Sequence, residues 1–241
     1  MRKGFLGGAT LAVLLLNFGS PLVAADPPIG SRLGDRTEKQ KTKNEKESAL
    51  TAHELAGCII VKRGSAARDF LDSRSAEQLK KLEPKIGGDL DCIANIQGND
   101  LVEGVQVYYP DDIMRGDLAE ELLKRNRSQV QLLAAKPIQR TYYRPWYALT
   151  GRHVSLDEMA TCVADTSPAG VLALVSTQPF TDDESAAFGQ LMGAMGPCLV
   201  AGTKLDAKRE PLRAALAEAL YQRAYHPEEE SAVAPETAPK K

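Results

Sequence analysis

Residues 155–162 read SLDEMATC and residues 51–58 read TAHELAGC. Thr51, Glu54, Leu55 and Cys58 correspond to Ser155, Glu158, Met159 and Cys162 at one offset of 104, the step from Cys58 to Cys162. The match continues in two further blocks. Ser75, Leu82, Ile86 and Cys92 correspond to Thr181, Phe188, Met192 and Cys198 at an offset of 106. Gly104, Val107, Arg115, Leu118, Ala119, Glu120, Leu122 and Arg125 correspond to Gly202, Leu205, Arg213, Leu216, Ala217, Glu218, Leu220 and Arg223 at an offset of 98. Offsets that hold within blocks and change between them are what insertions and deletions in loops leave behind. Ser155 to Arg223 therefore reads as a second, diverged copy of Thr51 to Arg125, the internal repeat that a sequence should be tested for first.

Each copy carries helical signals. The S/T-x-x-E pattern occurs at Thr51 with Glu54 and at Ser155 with Glu158, and reads as a capping box opening the first helix of each copy. Leu55, Cys58 and Ile59, like Met159, Cys162 and Val163, share one face at three- and four-residue spacing, so both cysteines point inward. Gly64 is expected to end the first of these helices and Ser167-Pro168 the second. Short helices follow around Ala66 to Leu71 and Ala169 to Val175. A second pair of capping boxes, Ser75 with Gln78 and Thr181 with Glu184, opens a longer helix with a seam of Leu79, Leu82, Ile86 and Ile93 in one copy and Phe188, Leu191, Met195 and Leu199 in the other. The last helices share Arg-x-x-Leu-Ala-Glu-x-Leu-x-x-Arg. Short alternation at Val105 to Tyr109, matched by Thr203 to Leu205, suggests a minor two-stranded ribbon between the copies. The fold class is thus all-α: two tandem pseudo-symmetric helical repeats with that ribbon.

The four cysteines allow three pairings. A repeat that evolved as a unit closes Cys58 to Cys92 and Cys162 to Cys198, one disulfide per copy; the alternative is four reduced core thiols. Met1 to Ala25 has Arg2 and Lys3, an apolar run and a small-residue end at Val23-Ala24-Ala25, which reads as a secretory signal. The mature protein is then periplasmic or secreted, with no stable membrane insertion after signal removal, and oxidised cysteines suit such a compartment. Of 30 basic residues, removal of Arg2 and Lys3 leaves 28 against 32 acidic ones, a net charge of −4. That balance lacks the basic stripe a nucleic-acid partner calls for.

The organisation expected is a signal over 1–25, a disordered lead-in over 26–48, repeat one over 49–127, an aromatic connector over 128–154, repeat two over 155–226 and a disordered acidic tail over 227–241. The connector holds the sole tryptophan. Tyr142, Tyr143, Arg144, Trp146 and Tyr147 belong to residue types enriched in binding hot spots and are the candidate partner-binding set. The competing expectation, and the favoured one, is that these rings pack between the copies.

No catalytic residue emerges, since there is no nucleophile elbow and no phosphate-binding glycine motif. Arg115, Arg213, Glu120 and Glu218 recur in both copies. They are expected to pair between helices, with Glu54 and Glu158 as partners, or to solvate a face. His53, His153 and His226 lack metal-ligand spacing, so neither a metal nor a cofactor is expected. Three classes of function follow, in order: an exported binding or adaptor module for an envelope protein or peptide, a structural or stress-tolerance envelope protein without a defined ligand, and an enzyme whose site the sequence does not reveal.

Overall fold

A computed structural model describes residues 29–87, 92, 111–131, 133–139, 141–199 and 207–227. The expected signal, the ribbon at 105–109 and 203–205, and all of the tail beyond Pro227 lie outside these residues. Met1–Lys41 and Thr42–Lys241 are two compact units, and the first is described only as helical backbone over 29–41.

All regular structure among the described residues is helical. The elements are α1 (Ile29–Leu71), α2 (Ala76–Gly87), α3 (Asp111–Arg125), α4 (Arg127–Val130), a 3-10 helix (Pro145–Leu149), α5 (Val154–Thr166), α6 (Pro168–Val175), α7 (Asp182–Cys198) and α8 (Arg209–Tyr225). None is long and apolar enough to cross a membrane.

The start of α1 differs from the sequence expectation. Helix runs back to Ile29, through the stretch read as a disordered lead-in, and Thr51 lies inside it with its hydroxyl donating to Glu47 O at 2.9 Å. Between Pro28 and Pro84 the chain has no proline, and residues 36–47 are rich in Lys, Glu, Gln and Arg, all good helix formers. Ser155 likewise is not the cap of α5. His153 is, its Nδ1 accepting from Ser155 N at 3.3 Å. A Thr or Ser followed by Glu suits a helix interior as well as its entrance, which is why the pattern misleads at both places.

Other local readings are matched closely. The helical path of α1 breaks at Arg63 (φ −134°, ψ 29°), one residue before Gly64, and α5 stops at Ser167 (φ −140°, ψ 57°), 104 residues on. Ser75 Oγ accepts from Gln78 N at 3.3 Å, and Thr181 Oγ1 from Glu184 N at 3.2 Å. In each case the third residue reaches back to the residue before the cap: Arg74 N donates to Gln78 Oε1 at 3.3 Å and Phe180 N to Glu184 Oε2 at 2.9 Å. That bond helps hold Phe180 at its φ of 60°, a left-handed value rarely adopted by a residue with a Cβ.

Cys58 is bridged to Cys92 and Cys162 to Cys198, with Cα separations of 5.7 and 5.6 Å. Each bridge closes a loop of 34 or 36 residues, a constraint that stabilises by about 3 to 4 kcal/mol in the chain-entropy description. Two such bridges suit an oxidising compartment outside the cytoplasm.

The centre of the core is the crossing of α3 and α8. Leu118, Leu122, Leu216 and Leu220 are buried there with Ile59, Phe70, Met159 and Leu174 from α1, α5 and α6. Gly116 makes the crossing possible: a Cβ on it would lie 2.2 Å from Ala214 Cα. Ala214 is the residue 98 positions on, the same step that relates Arg115 to Arg213.

Candidate functional site

The recurring charges are buried, not solvated, and their partners are each other. Arg115 on α3 donates through Nε to Glu218 Oε1 on α8 at 2.7 Å; Arg213 on α8 donates through Nε and Nη2 to Glu120 on α3 at 2.8 and 2.7 Å. This corrects the expected pairing with Glu54, which is exposed, and Glu158, which is half-buried. The crossing at Gly116 brings the two helices so close that each arginine meets the glutamate of the opposite helix.

The rest of each guanidinium is used on backbone carbonyls and, for Arg213, on the side chains of Thr177 and Glu184 as well. Arg115 donates to Phe70 O and Leu71 O, both at 3.0 Å, satisfying carbonyls at the end of α1 that have no helical partner. Arg213 donates to Thr177 O at 2.8 Å and to Glu184 Oε1 at 2.9 Å. Each buried ion is thus met by hydrogen bonds as well as by an opposite charge, the condition for burying charge at tolerable cost.

Around Glu218 a second arginine closes the cluster. Arg152, from the connector, bridges Asp157 Oδ1 at 2.8 Å and Glu218 Oε2 at 2.5 Å, and donates to Asp112 O at 2.8 Å. Thr150 Oγ1 donates to Asp157 Oδ2 at 2.7 Å. Burial acts to raise the pKa of Glu218, but Arg115 and Arg152 outweigh it and hold the carboxyl below its ordinary value of 4.5. At Asp157 burial prevails over Arg152 and the pKa is raised above 3.8. Around Glu120 the second cation is Lys124, whose Nζ lies 2.8 Å from Glu120 Oε1 and 2.9 Å from Glu121 Oε1. His53 Nε2 stands 3.4 Å from Glu120 Oε1, and burial lowers the pKa of this imidazole below 6.5, so the neutral ring prevails. One nitrogen of His53 and carboxylate oxygens of Glu120 and Glu121 lie within 4.8 Å of one another, a set able to hold a metal ion.

Four of the five connector candidates are buried. Trp146 packs edge-to-face on Tyr147 with ring centroids 4.6 Å apart; Tyr147 donates to Thr161 Oγ1 at 2.8 Å; and Tyr142 OH accepts from Gln139 N at 3.0 Å. Arg144 is buried as well, and Tyr143 alone is exposed, at 41 %. The connector instead walls a small cavity of about 10 Å³, roughly the room one water needs. Arg144, Trp146, Thr161, Asp165, Gln222, Arg223 and His226 line it. Arg144 Nη2 and Asp165 Oδ2 are buried there without a hydrogen-bond partner among the described residues. Arg223, the last residue of the pattern shared by the two final helices, is buried and donates to Ala164 O and Asp165 O of α5 and to Ala134 O of the connector.

Arg152, Asp157 and Asp165 escaped the sequence reading, and Glu184 was read only as a cap partner of Thr181. Asp157 is the residue 104 positions after His53, and that register was the available signal. No protein-family model, no curated protein and no solved structure matches this chain.

Proposed function

We propose that the protein is an exported binding module, periplasmic or secreted, built from two tandem pseudo-symmetric helical repeats and engaging a peptide or a protein segment through the connector cavity. The repeat reading is supported by the shared register of the helix breaks, caps, disulfides and α3–α8 crossing, and by the reciprocal Arg–Glu pairs. The observation that carries the binding reading is the pair of unpartnered buried groups. Arg144 Nη2 offers a donor and Asp165 Oδ2 an acceptor in one cavity beside Trp146, and a buried polar atom left unmatched costs about 1–3 kcal/mol. The cavity as it stands takes one water; in this reading the end of a peptide displaces it, placing a carbonyl or carboxylate oxygen on the arginine and an N–H on the aspartate.

A random peptide library displayed on phage and panned against the oxidised mature protein tests this. An enriched family is expected whose affinity falls at least about tenfold on Arg144→Gln, the loss of one hydrogen bond to a charged group, while thermal melting stays cooperative. Tyr143→Ala is expected to change affinity less. Peptides that bind wild type and Arg144→Gln alike would remove the cavity as the site. A library with no enrichment favours the second reading, a structural envelope protein without a ligand, which the burial of Tyr142, Arg144, Trp146 and Tyr147 supports.

A further inference from the structure

The two charged clusters differ in what stands beside the acids that the crossing holds. Asp157 and Glu218 have a guanidinium between them, Arg152, bonded to both. The positions corresponding to Asp157 and Glu218 are His53 and Glu120. The position corresponding to Arg152 is Ser48, which carries no charge. The nearby cation, Lys124, bridges Glu120 to Glu121 from the flank. His53 Nε2 is left buried with no hydrogen-bond partner among the described residues, directed at the carboxylate oxygen that Lys124 also uses.

We propose that His53, Glu120 and Glu121 form a site for a divalent transition-metal cation of the zinc class, occupying in the first half the role that Arg152 plays in the second. The geometry agrees with that ion. Zinc bonds of about 2.0–2.2 Å in a tetrahedron set neighbouring donor atoms about 3.3–3.5 Å apart, and His53 Nε2 stands 3.4 Å from Glu120 Oε1. Imidazole in the donor set favours zinc-like ions over magnesium and calcium, which take oxygen ligands. Arg213 holds both oxygens of Glu120, Nε on Oε2 at 2.8 Å and Nη2 on Oε1 at 2.7 Å, outer hydrogen bonds that orient a ligating carboxylate and leave one lone pair of Oε1, the one Lys124 now uses, for the metal. Lys124 is the competitor for the position. Its side chain is 26 % exposed, so its flexible stem can carry the ammonium out to water when the metal enters. Three protein ligands leave the fourth position of the tetrahedron to water. The proposal stands apart from the connector cavity and does not depend on it.

The test uses the oxidised mature protein without a histidine tag, stripped with chelator and titrated calorimetrically with zinc, magnesium and calcium chlorides. Cobalt(II) absorption reports the coordination geometry. One equivalent of zinc is expected to bind, with cobalt bands of a tetrahedral site and no comparable uptake of magnesium or calcium. His53→Ala and Glu121→Gln are each expected to weaken zinc at least about tenfold, the scale on which even outer-shell changes act. Lys124→Met is expected to tighten it, a gain that misfolding cannot imitate. His153→Asn, which keeps a residue suited to capping α5, and His226→Gln are expected to leave zinc affinity unchanged. Absence of zinc uptake by both wild type and Lys124→Met would overturn the proposal, as would affinity indifferent to His53→Ala or lowered by His153→Asn or His226→Gln.

Discussion

The cluster around Glu218 and the cluster around Glu120 share a plan and differ in where the second cation comes from. On the Glu218 side, both cations are arginines with fixed planar forks, and Arg152, Asp157 and Glu218 are all at most 1 % exposed at the side chain. On the Glu120 side, the second cation is a lysine on the same helix, partly exposed, with a histidine in the place of the aspartate. The shared members, Arg115 with Glu218 and Arg213 with Glu120, hold α3 to α8. The other members, Arg152 and Asp157 on one side and Lys124 and His53 on the other, only add to those contacts across the crossing.

The widest difference between the clusters should appear on removing each acid. Glu218→Gln leaves Arg115 and Arg152 facing each other in a site closed to water, and breaking a buried pair in this way costs about 3–5 kcal/mol. Glu120→Gln is expected to cost less, because Lys124 can turn to solvent and Arg213 retains Glu184 Oε1 at 2.9 Å. Urea unfolding of the two variants checks the order. Equal losses would show that the partly exposed lysine is held as tightly as Arg152, and would break the contrast.

A smaller effect separates the two sides of the crossing. Gly116→Ala places a methyl 2.2 Å from Ala214 Cα, and the opposing atom is backbone that cannot swing away. The helices must separate, at a cost on the scale of overpacking, about 1–3 kcal/mol. Ala214→Gly removes only a methyl and a little helix propensity, about 1 kcal/mol. Melting temperatures of the two variants give the comparison. A Gly116→Ala protein as stable as wild type would mean that the close approach is not what joins α3 to α8.

What could be read from the chain beforehand divides along one line. The disulfides, the Ser75 and Thr181 caps and the helical class were legible because each is written in residues close together or in the matching spacing of the cysteines, 34 and 36 residues. The entrance to α1 was not, because Thr51 with Glu54 satisfies the same local pattern inside a helix as at its end. The partners of Arg115 and Arg213 were not either. They lie 103 and 93 residues away in sequence, and only the close crossing at Gly116 decides that they meet each other and not Glu54 or Glu158. The connector was legible as aromatic and as packing material, whereas the cavity it closes depends on Asp165 and Arg223, which no local pattern joins to Arg144.

The finest contrast lies within the Glu218 cluster itself, between two carboxylates that share Arg152. Glu218 has a folded pKa held below its ordinary 4.5 by Arg115 and Arg152 against the effect of burial. Its stabilising contribution is therefore complete above about pH 4.5 and is lost as the pH falls through the depressed folded value. Asp157 has the opposite sign. Burial raises its pKa above 3.8 in spite of Arg152, so the folded state takes up a proton more readily than the unfolded one and gains relative stability as the pH falls through that raised value. Wild type is then expected to lose stability on acidification less steeply than Asp157→Asn, which lacks the compensating uptake, and more steeply than Glu218→Gln, which lacks the acid-sensitive group. Urea midpoints measured at intervals from pH 7 down to pH 3 separate the three slopes. Parallel curves for all three proteins would mean that Arg152 serves the two acids as a single unit, with no division between them for the proton to detect.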